Sequence, residues 1–94
     1  MYTEQEKEEA LKRLEEWGTV SLSYDDGVDC EGDLAILGLD TDLIYRCLHQ
    51  IDYLSCSIKY DGEYHLGGQL QEEEEELYEE LSKLDEYGID YEVN

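Results

Sequence analysis

The spacing of apolar residues changes at Gly18, and this change separates the first two predicted elements. Over residues 3–17, apolar side chains recur at helical intervals and line one stripe. Thr3 can cap this helix, and Glu6 follows three residues later as in a capping box. After Gly18, apolar and polar residues alternate in "TVSLSY", residues 19–24. The pattern therefore predicts a helix followed by a half-buried strand.

The middle of the chain carries further patterns of apolar residues. The short run "LAILGL" (34–39) predicts a buried strand, and residues 40–51 have the apolar stripe of a helix. The segment "LSCSIKY" (54–60) alternates again, and "DG" (61–62) is typical of a two-residue hairpin turn. We therefore expect residues 63–70 to return as the partner strand of a β-hairpin.

The last third of the chain predicts one long helix and a short strand. Leucines at helical intervals predict a helix over residues 71–87, and Gly88 ends it. The alternating segment "IDYEVN" (89–94) is typical of a short last strand. Together these elements predict a single α+β domain over residues 1–94. Three helices would pack on an antiparallel sheet of about four strands, in the order α-β-β-α-β-β-α.

The net charge is the most unusual property of the chain. Twenty-seven acidic residues against six Lys and Arg give −21 over 94 residues. A small domain typically carries a net charge of magnitude about 2–8. Because self-repulsion at this level destabilises the folded state, we expect either a basic partner protein or a high-salt medium. Direct binding to nucleic acid or to an anionic membrane is not expected, since both need clustered Lys and Arg.

Three sequence properties bear on the location of the protein. No apolar run approaches the roughly 20 residues that span a bilayer. The segment "MYTEQEKEEALKRLEEW" lacks the apolar stretch of a signal peptide. Cys30, Cys47 and Cys56 are odd in number and contain no CxxC pair, which is typical of reduced, buried thiols. We therefore expect a cytoplasmic protein.

Neither the cysteines nor the acidic loop predicts a metal site. A zinc site would have to combine the three cysteines with His49 and His65, without any CxxC spacing. In "DDGVDCEGD" (25–33) the acids alternate as in a calcium loop, but the position that requires Gly is occupied by Leu34. The sequence therefore predicts no metal site and no cofactor.

The sequence also contains no signature of catalysis. Neither histidine has a Ser or Cys that the sequence identifies as its partner. Carboxylates occur throughout the chain, so no pair is singled out for acid–base work of the kind that glycosidases use. We therefore predict that the protein is not an enzyme.

The run "QEEEEELYEEL" (71–81) gives the third predicted helix an unusually high density of acidic residues. The helix dipole favours acids in the first turns, but it opposes Asp85 and Glu86 in the last turn. Between residues 72 and 87 the acids are Glu72–Glu76, Glu79, Glu80, Asp85 and Glu86. They amount to one acid per roughly 2.7 Å of helix axis, against about 1.7 Å per charge in duplex DNA. This density indicates a surface that presents negative charge.

The glutamate run, the loop "SYDDGVDCEGD" and the Tyr-rich, Pro-free composition resemble the acidic nucleic-acid-mimic inhibitors of phages and other mobile elements. These include anti-CRISPR and anti-restriction proteins. The resemblance implies a non-enzymatic inhibitor that binds the basic nucleic-acid-binding surface of a host defence protein, in the host cytoplasm. The candidate partner-binding residues are Glu72, Glu73, Glu75, Glu76, Glu79, Glu80, Glu86, Tyr78, Asp25, Asp26, Asp29, Glu31 and Asp33.

Two other hypotheses fit the same charge. An immunity protein or antitoxin that neutralises a basic nuclease toxin would need an equally acidic surface. An ordinary domain of a halophile would be acidic for hydration, but its acids would be spread more evenly than the cluster in the last third of this chain.

Overall fold

The computed structural model describes residues 2–94, and over this range the chain forms four α-helices and a three-stranded sheet. In chain order the elements are α1 (Glu4–Trp17), β1 (Val20–Ser23), β2 (Gly27–Val28), α2 (Glu31–Ile36), α3 (Thr41–Asp61), a 3₁₀ turn (Tyr64–Leu66), α4 (Gly67–Glu86) and β3 (Tyr91–Val93). The α+β class predicted from the sequence is confirmed. The number, order and pairing of the elements differ from the prediction.

Both ends of α1 form as the sequence predicts. The Thr3 hydroxyl accepts a hydrogen bond from the Glu6 N–H at 3.2 Å, which satisfies one of the free donors of the first turn. Gly18 ends the helix with a φ of 95°, and its N–H donates to the Leu14 carbonyl at 3.1 Å. A positive φ is strained for other residues, so this turn requires glycine.

The sheet has the strand order β2-β1-β3 and is mixed, not antiparallel as predicted. β1 pairs antiparallel with β2, and it pairs in parallel with β3 through Val20 opposite Tyr91 and Leu22 opposite Val93. The predicted last strand is therefore confirmed, and it becomes an edge strand. Val20 and Leu22 are fully buried, in keeping with the alternation in their segment.

The predicted strand at 34–39 is wrong, because this segment holds the end of α2 and the turn that follows. Leu34, Leu37 and Leu39 are all buried, so the apolar run does belong to the core. A run of only six apolar residues fits a buried strand and a buried helix equally well. Gly38, at a φ of 96°, then turns the chain towards α3.

The predicted hairpin at 54–70 is also wrong, because α3 continues to Asp61. Leu54 and Ser57 are buried whereas Cys56 is exposed, so burial follows the helical period and not alternation. Gly62 caps the helix at a φ of 70°, and its N–H donates to the Ser57 carbonyl. The expected partner strand forms the 3₁₀ turn and the start of α4.

Helices α3 and α4 form a helical hairpin that gives the molecule its elongated shape of 49 × 21 × 19 Å. The core lies where this hairpin meets α1, α2 and the sheet. It comprises Ala10, Leu14, Val20, Leu22, Leu34, Leu37, Leu39, Ile44, Cys47, Leu48, Leu77, Leu81, Leu84 and Ile89. Among the helices of residues 2–94, none combines the length and the apolarity that crossing a membrane requires.

Candidate functional site

Helix α4 separates its acidic residues onto two sides. Leu77, Leu81 and Leu84 are fully buried and fix the side that faces the core. Successive residues of an α-helix are about 100° apart, so Glu72, Glu75, Glu79 and Glu86 point away from that side. All four are exposed. We call these four residues the outer face.

The outer face is a line of carboxylates with a single base, Lys83, at its margin. From Glu72 to Glu86 it extends about 21 Å along the helix axis. Glu74 and Asp85 are also exposed, but each points about 100° around the helix from its outer-face neighbour, Glu75 or Glu86. Lys83 is the one basic residue in α4, and its Nζ is held 2.6 Å from Glu80 and 3.3 Å from the Gly38 carbonyl. The lysine therefore neutralises an inward acid and leaves the outer face negative.

Glu80 has a different position from the one its predicted role requires. Its side chain is only 10% exposed. Its Oε2 accepts a hydrogen bond from the backbone N–H of Asp40, the N-cap residue of α3, at 3.3 Å. Together with the ion pair to Lys83, this contact fixes the start of α3 against α4. Glu80 is therefore a structural residue, and its carboxylate is not free for a partner.

Two further predicted site residues, Glu73 and Glu76, are turned towards α3. Both are half-buried. Glu76 accepts a hydrogen bond from Arg46 Nη2 through its Oε1. Glu73 has a buried oxygen, Oε2, with no hydrogen-bond partner among the described residues. These two acids lie next to the outer face but do not belong to it.

Tyr78 is exposed to 47% and lies on the flank of α4 nearest to β3. Its neighbour Tyr91 has a raised pKa, first because the phenol is partly buried and then because Asp85 and Tyr78 are close. The Tyr78 ring is open to solvent beside several carboxylates. It can therefore stack on a guanidinium group of a partner, as the sequence predicts.

Two acids of the loop 25–33 are occupied by contacts within the protein. Asp29 Oδ2 accepts hydrogen bonds from the Ser21 N–H at 3.0 Å and from Trp17 Nε1 at 3.3 Å. Asp33 Oδ1 pairs with Arg13 Nη2 at 2.7 Å, and its side chain is 16% exposed. Both carboxylates connect the loop region to α1 and β1, so they act within the fold.

The loop does not extend the outer face. Glu31 accepts a hydrogen bond from the Tyr45 hydroxyl at 3.1 Å, whereas the next residue of α3, Arg46, binds Glu76. Because successive side chains on a helix diverge by about 100°, the loop and α4 lie on different flanks of α3. Residues 25–26 are exposed, but they present their charge on that other flank.

A shallow cleft borders the outer face where α4 passes the start of α3. Its volume is about 530 Å³, and it is lined by Leu43 of α3 and by Glu76, Glu79, Glu80, Ser82, Lys83 and Glu86 of α4. An apolar wall next to carboxylates suits a long basic side chain, whose stem is apolar and whose end is charged. The negative surface therefore includes a concave region beside the outer face.

The three cysteines are free thiols, but only one is buried. Cys47 is fully buried in the core, Cys30 is half-buried and Cys56 is exposed. The expectation of buried thiols is therefore correct for Cys47 and wrong for Cys56. The sequence did not predict that Cys47 lies against Glu73 and Glu76. This proximity follows from the packing of α3 on α4, which the sequence analysis did not predict.

Comparisons with protein-family models, with curated proteins and with solved structures found no match to this chain.

Proposed function

We propose that this protein is a non-enzymatic inhibitor that binds the basic nucleic-acid-binding surface of a host defence protein, of the anti-CRISPR or anti-restriction type. The carboxylates of the outer face would occupy the positions that phosphates take in the natural ligand. The observation that carries the proposal is the separation of charge on α4. Glu72, Glu75, Glu79 and Glu86 form an exposed line, and the helix's only lysine is paired elsewhere.

The spacing of the outer face supports mimicry of a nucleic acid. Along the axis the four carboxylates are separated by about 4.5, 6 and 10.5 Å, and one strand of duplex DNA carries a phosphate every 3.4 Å or so. Arginine binds carboxylate and phosphate with the same planar fork of donors. A partner surface whose arginines bind phosphates can therefore also bind the carboxylates of this helix.

The last turn of α4 supports a cationic partner in a second way. Asp85 and Glu86 are exposed at the C-terminal end of the helix, where the dipole is negative. Each acid there destabilises the isolated helix by about 0.3–1 kcal/mol. Glu86 also lines the cleft beside Leu43, so an arginine or lysine inserted there would neutralise both the carboxylate and the helix end.

A competition assay tests the proposal on the wild-type protein. Fluorescent duplex DNA is bound to a CRISPR effector complex or to a restriction endonuclease, and its release is followed as this protein is added. We expect stoichiometric release at low salt and weaker release at physiological salt, because the Debye length falls from about 30 Å at 0.01 M to about 8 Å at 0.15 M.

A basic nuclease toxin, assayed in parallel, separates the two inhibitor classes. Release of DNA from the toxin alone would contradict the proposal and support the immunity-protein hypothesis. A failure to release DNA from any of the three proteins at low salt would contradict both. Oligo-glutamate of the same net charge is the control for effects that any polyanion would produce.

A further inference from the structure

Three side chains with metal-binding atoms converge at the interface between α3 and α4, next to the outer face but not part of it. They are Cys47 of α3 and Glu73 and Glu76 of α4, and one ligand atom of each lies within 4.8 Å of the other two. The thiol is fully buried in the core. Glu73 and Glu76 are three residues apart on one helix, which places both carboxylates on the side that faces α3.

Glu73 supplies an independent observation at this cluster. Its Oε2 is buried and has no hydrogen-bond partner among the described residues. A buried polar atom is almost always paired, and an exception calls for a specific reason such as an ion. The Glu73 side chain as a whole is half-buried, and the Cys47 thiol is the neighbouring group that can donate to its carboxylate.

The cations already in the protein do not neutralise this cluster. Arg46 is the nearest base; its guanidinium binds Oε1 of Glu76 and also lies against the Cys47 thiol, whose pKa it partly lowers. Burial raises the pKa of the Cys47 thiol to about 11, and the neighbouring carboxylates of Glu76 and Glu73 add to this shift. The cluster therefore contains two carboxylates, one guanidinium and a neutral thiol. Its net charge is negative.

We propose that Cys47, Glu73 and Glu76 form a binding site for a divalent transition-metal ion of the zinc class. Zinc accepts thiolate sulfur at about 2.3 Å and carboxylate oxygen at about 2.0–2.2 Å. Ligand atoms around such an ion are about 3.5 Å apart, so the three side chains need to move only slightly towards one another. A thiolate ligand disfavours magnesium and calcium, which prefer oxygen.

Binding at this site has a simple stoichiometry. The thiol of Cys47 loses its proton to solvent as the sulfur–metal bond forms, and the two carboxylates bind as they are. The metal gains one sulfur and two oxygen ligands, and a water molecule completes a tetrahedral shell. The net charge of −21 raises the concentration of cations near the surface and favours loading. The site is independent of the proposed inhibitor function.

Cobalt(II) is a suitable probe, because a cobalt–thiolate bond produces a near-ultraviolet charge-transfer band that carboxylates alone do not produce. The band is measured in a Cys30→Ser/Cys56→Ser variant, which retains Cys47 as its only thiol. We expect the band to saturate at one cobalt per chain and to disappear when zinc is added. No band at millimolar cobalt would overturn the proposal and would leave Glu73 as an acceptor for the Cys47 thiol proton.

Single substitutions then assign the ligands. We expect Glu73→Gln to weaken cobalt binding at least tenfold and Cys47→Ser to remove the band. The matched control is Glu72→Gln, on the outer face, made in the same Cys30→Ser/Cys56→Ser background. It should bind cobalt as that background does. Equal weakening by Glu72→Gln and Glu73→Gln would mean that cobalt binds the acidic surface in general, and the site would be refuted.

Discussion

Replacing Glu72, Glu75, Glu79 and Glu86 by glutamine is expected to weaken binding to the basic partner by roughly 30- to 1,000-fold, since four exposed charge pairs contribute about 0.5–1 kcal/mol each. The substitution keeps the size and helix propensity of each side chain. It removes only the charge that would replace the phosphates. Equilibrium binding at low salt measures the loss, and the salt dependence of binding should become shallower at the same time.

A matched variant separates the position of the charge from its amount. Glu6, Glu9, Glu15 and Glu16 of α1 are also exposed, and changing all four to glutamine alters the net charge by the same amount. We expect this α1 variant to bind within about threefold of the wild type, because its charges are remote from the contact and are screened. Equal losses in the two variants would show that net charge alone drives binding.

The same α4 variant should be more stable than the wild type. Glu75 and Glu79 repel each other at i, i+4, and each is also close to Glu72 or Glu76 on the helix surface. Each repulsive pair destabilises a helix by about 0.2–0.5 kcal/mol. The change at Glu79 also removes its i, i+4 attraction to Lys83, so urea unfolding should report a gain of at most about 1 kcal/mol. The proposed function predicts this combination: the charge of the outer face lowers the free energy of unfolding and strengthens binding to the partner.

Leu81→Ala is expected to lower the free energy of unfolding by about 2–5 kcal/mol, because it removes a fully buried side chain and leaves a cavity. Leu81 lies in the core between the helical hairpin and the rest of the molecule. A small domain has only about 5–15 kcal/mol of stability in total, and self-repulsion reduces it here. The urea midpoint should therefore shift strongly towards lower concentration.

Leu70→Ala is the matched control on the same helix. Leu70 is half-buried near the start of α4, so the same substitution should destabilise the protein by less than about 2 kcal/mol. If the two variants lost equal stability, the burial of α4 against the core would not be as described.

Local chemistry explains why α1 and β3 could be predicted from the sequence. Thr3 and Gly18 act within one turn of their own helix, so their roles do not depend on distant parts of the chain. The last strand was predicted by alternation alone, but its parallel pairing with β1 joins residues about seventy positions apart. No local pattern specifies a pairing of that kind.

The segment 54–70 was mispredicted because its residues satisfy two periods at once. Leu54 and Ile58 fit the inward positions of a strand and also the i, i+4 spacing of a helix. The dipeptide Asp61–Gly62 suits a hairpin turn, but a glycine with a positive φ is equally typical of a helix C-terminus. The packing of α3 on α4 favours the helix over the strand. The sequence of residues 54–70 alone does not show this packing.

The candidate site was predicted in part for the same reasons. The helical period of α4 correctly places Glu72, Glu75 and Glu79 on the exposed side. The same period could have identified Glu80 as inward, because it lies at i+3 from Leu77 and i−4 from Leu84. Its contact with the N–H of Asp40 depends on the packing of α3 and could not be derived.

Carboxyl-group footprinting of the complex tests the central claim most directly. A carbodiimide and an amine label exposed carboxylates, and mass spectrometry compares the labelling of the free protein with that of the protein bound to its partner. We predict strong protection of Glu72, Glu75, Glu79 and Glu86 and unchanged labelling of residues 25–26. Protection of residues 25–26 or of α1, with α4 still labelled, would contradict the assignment of the outer face as the binding surface.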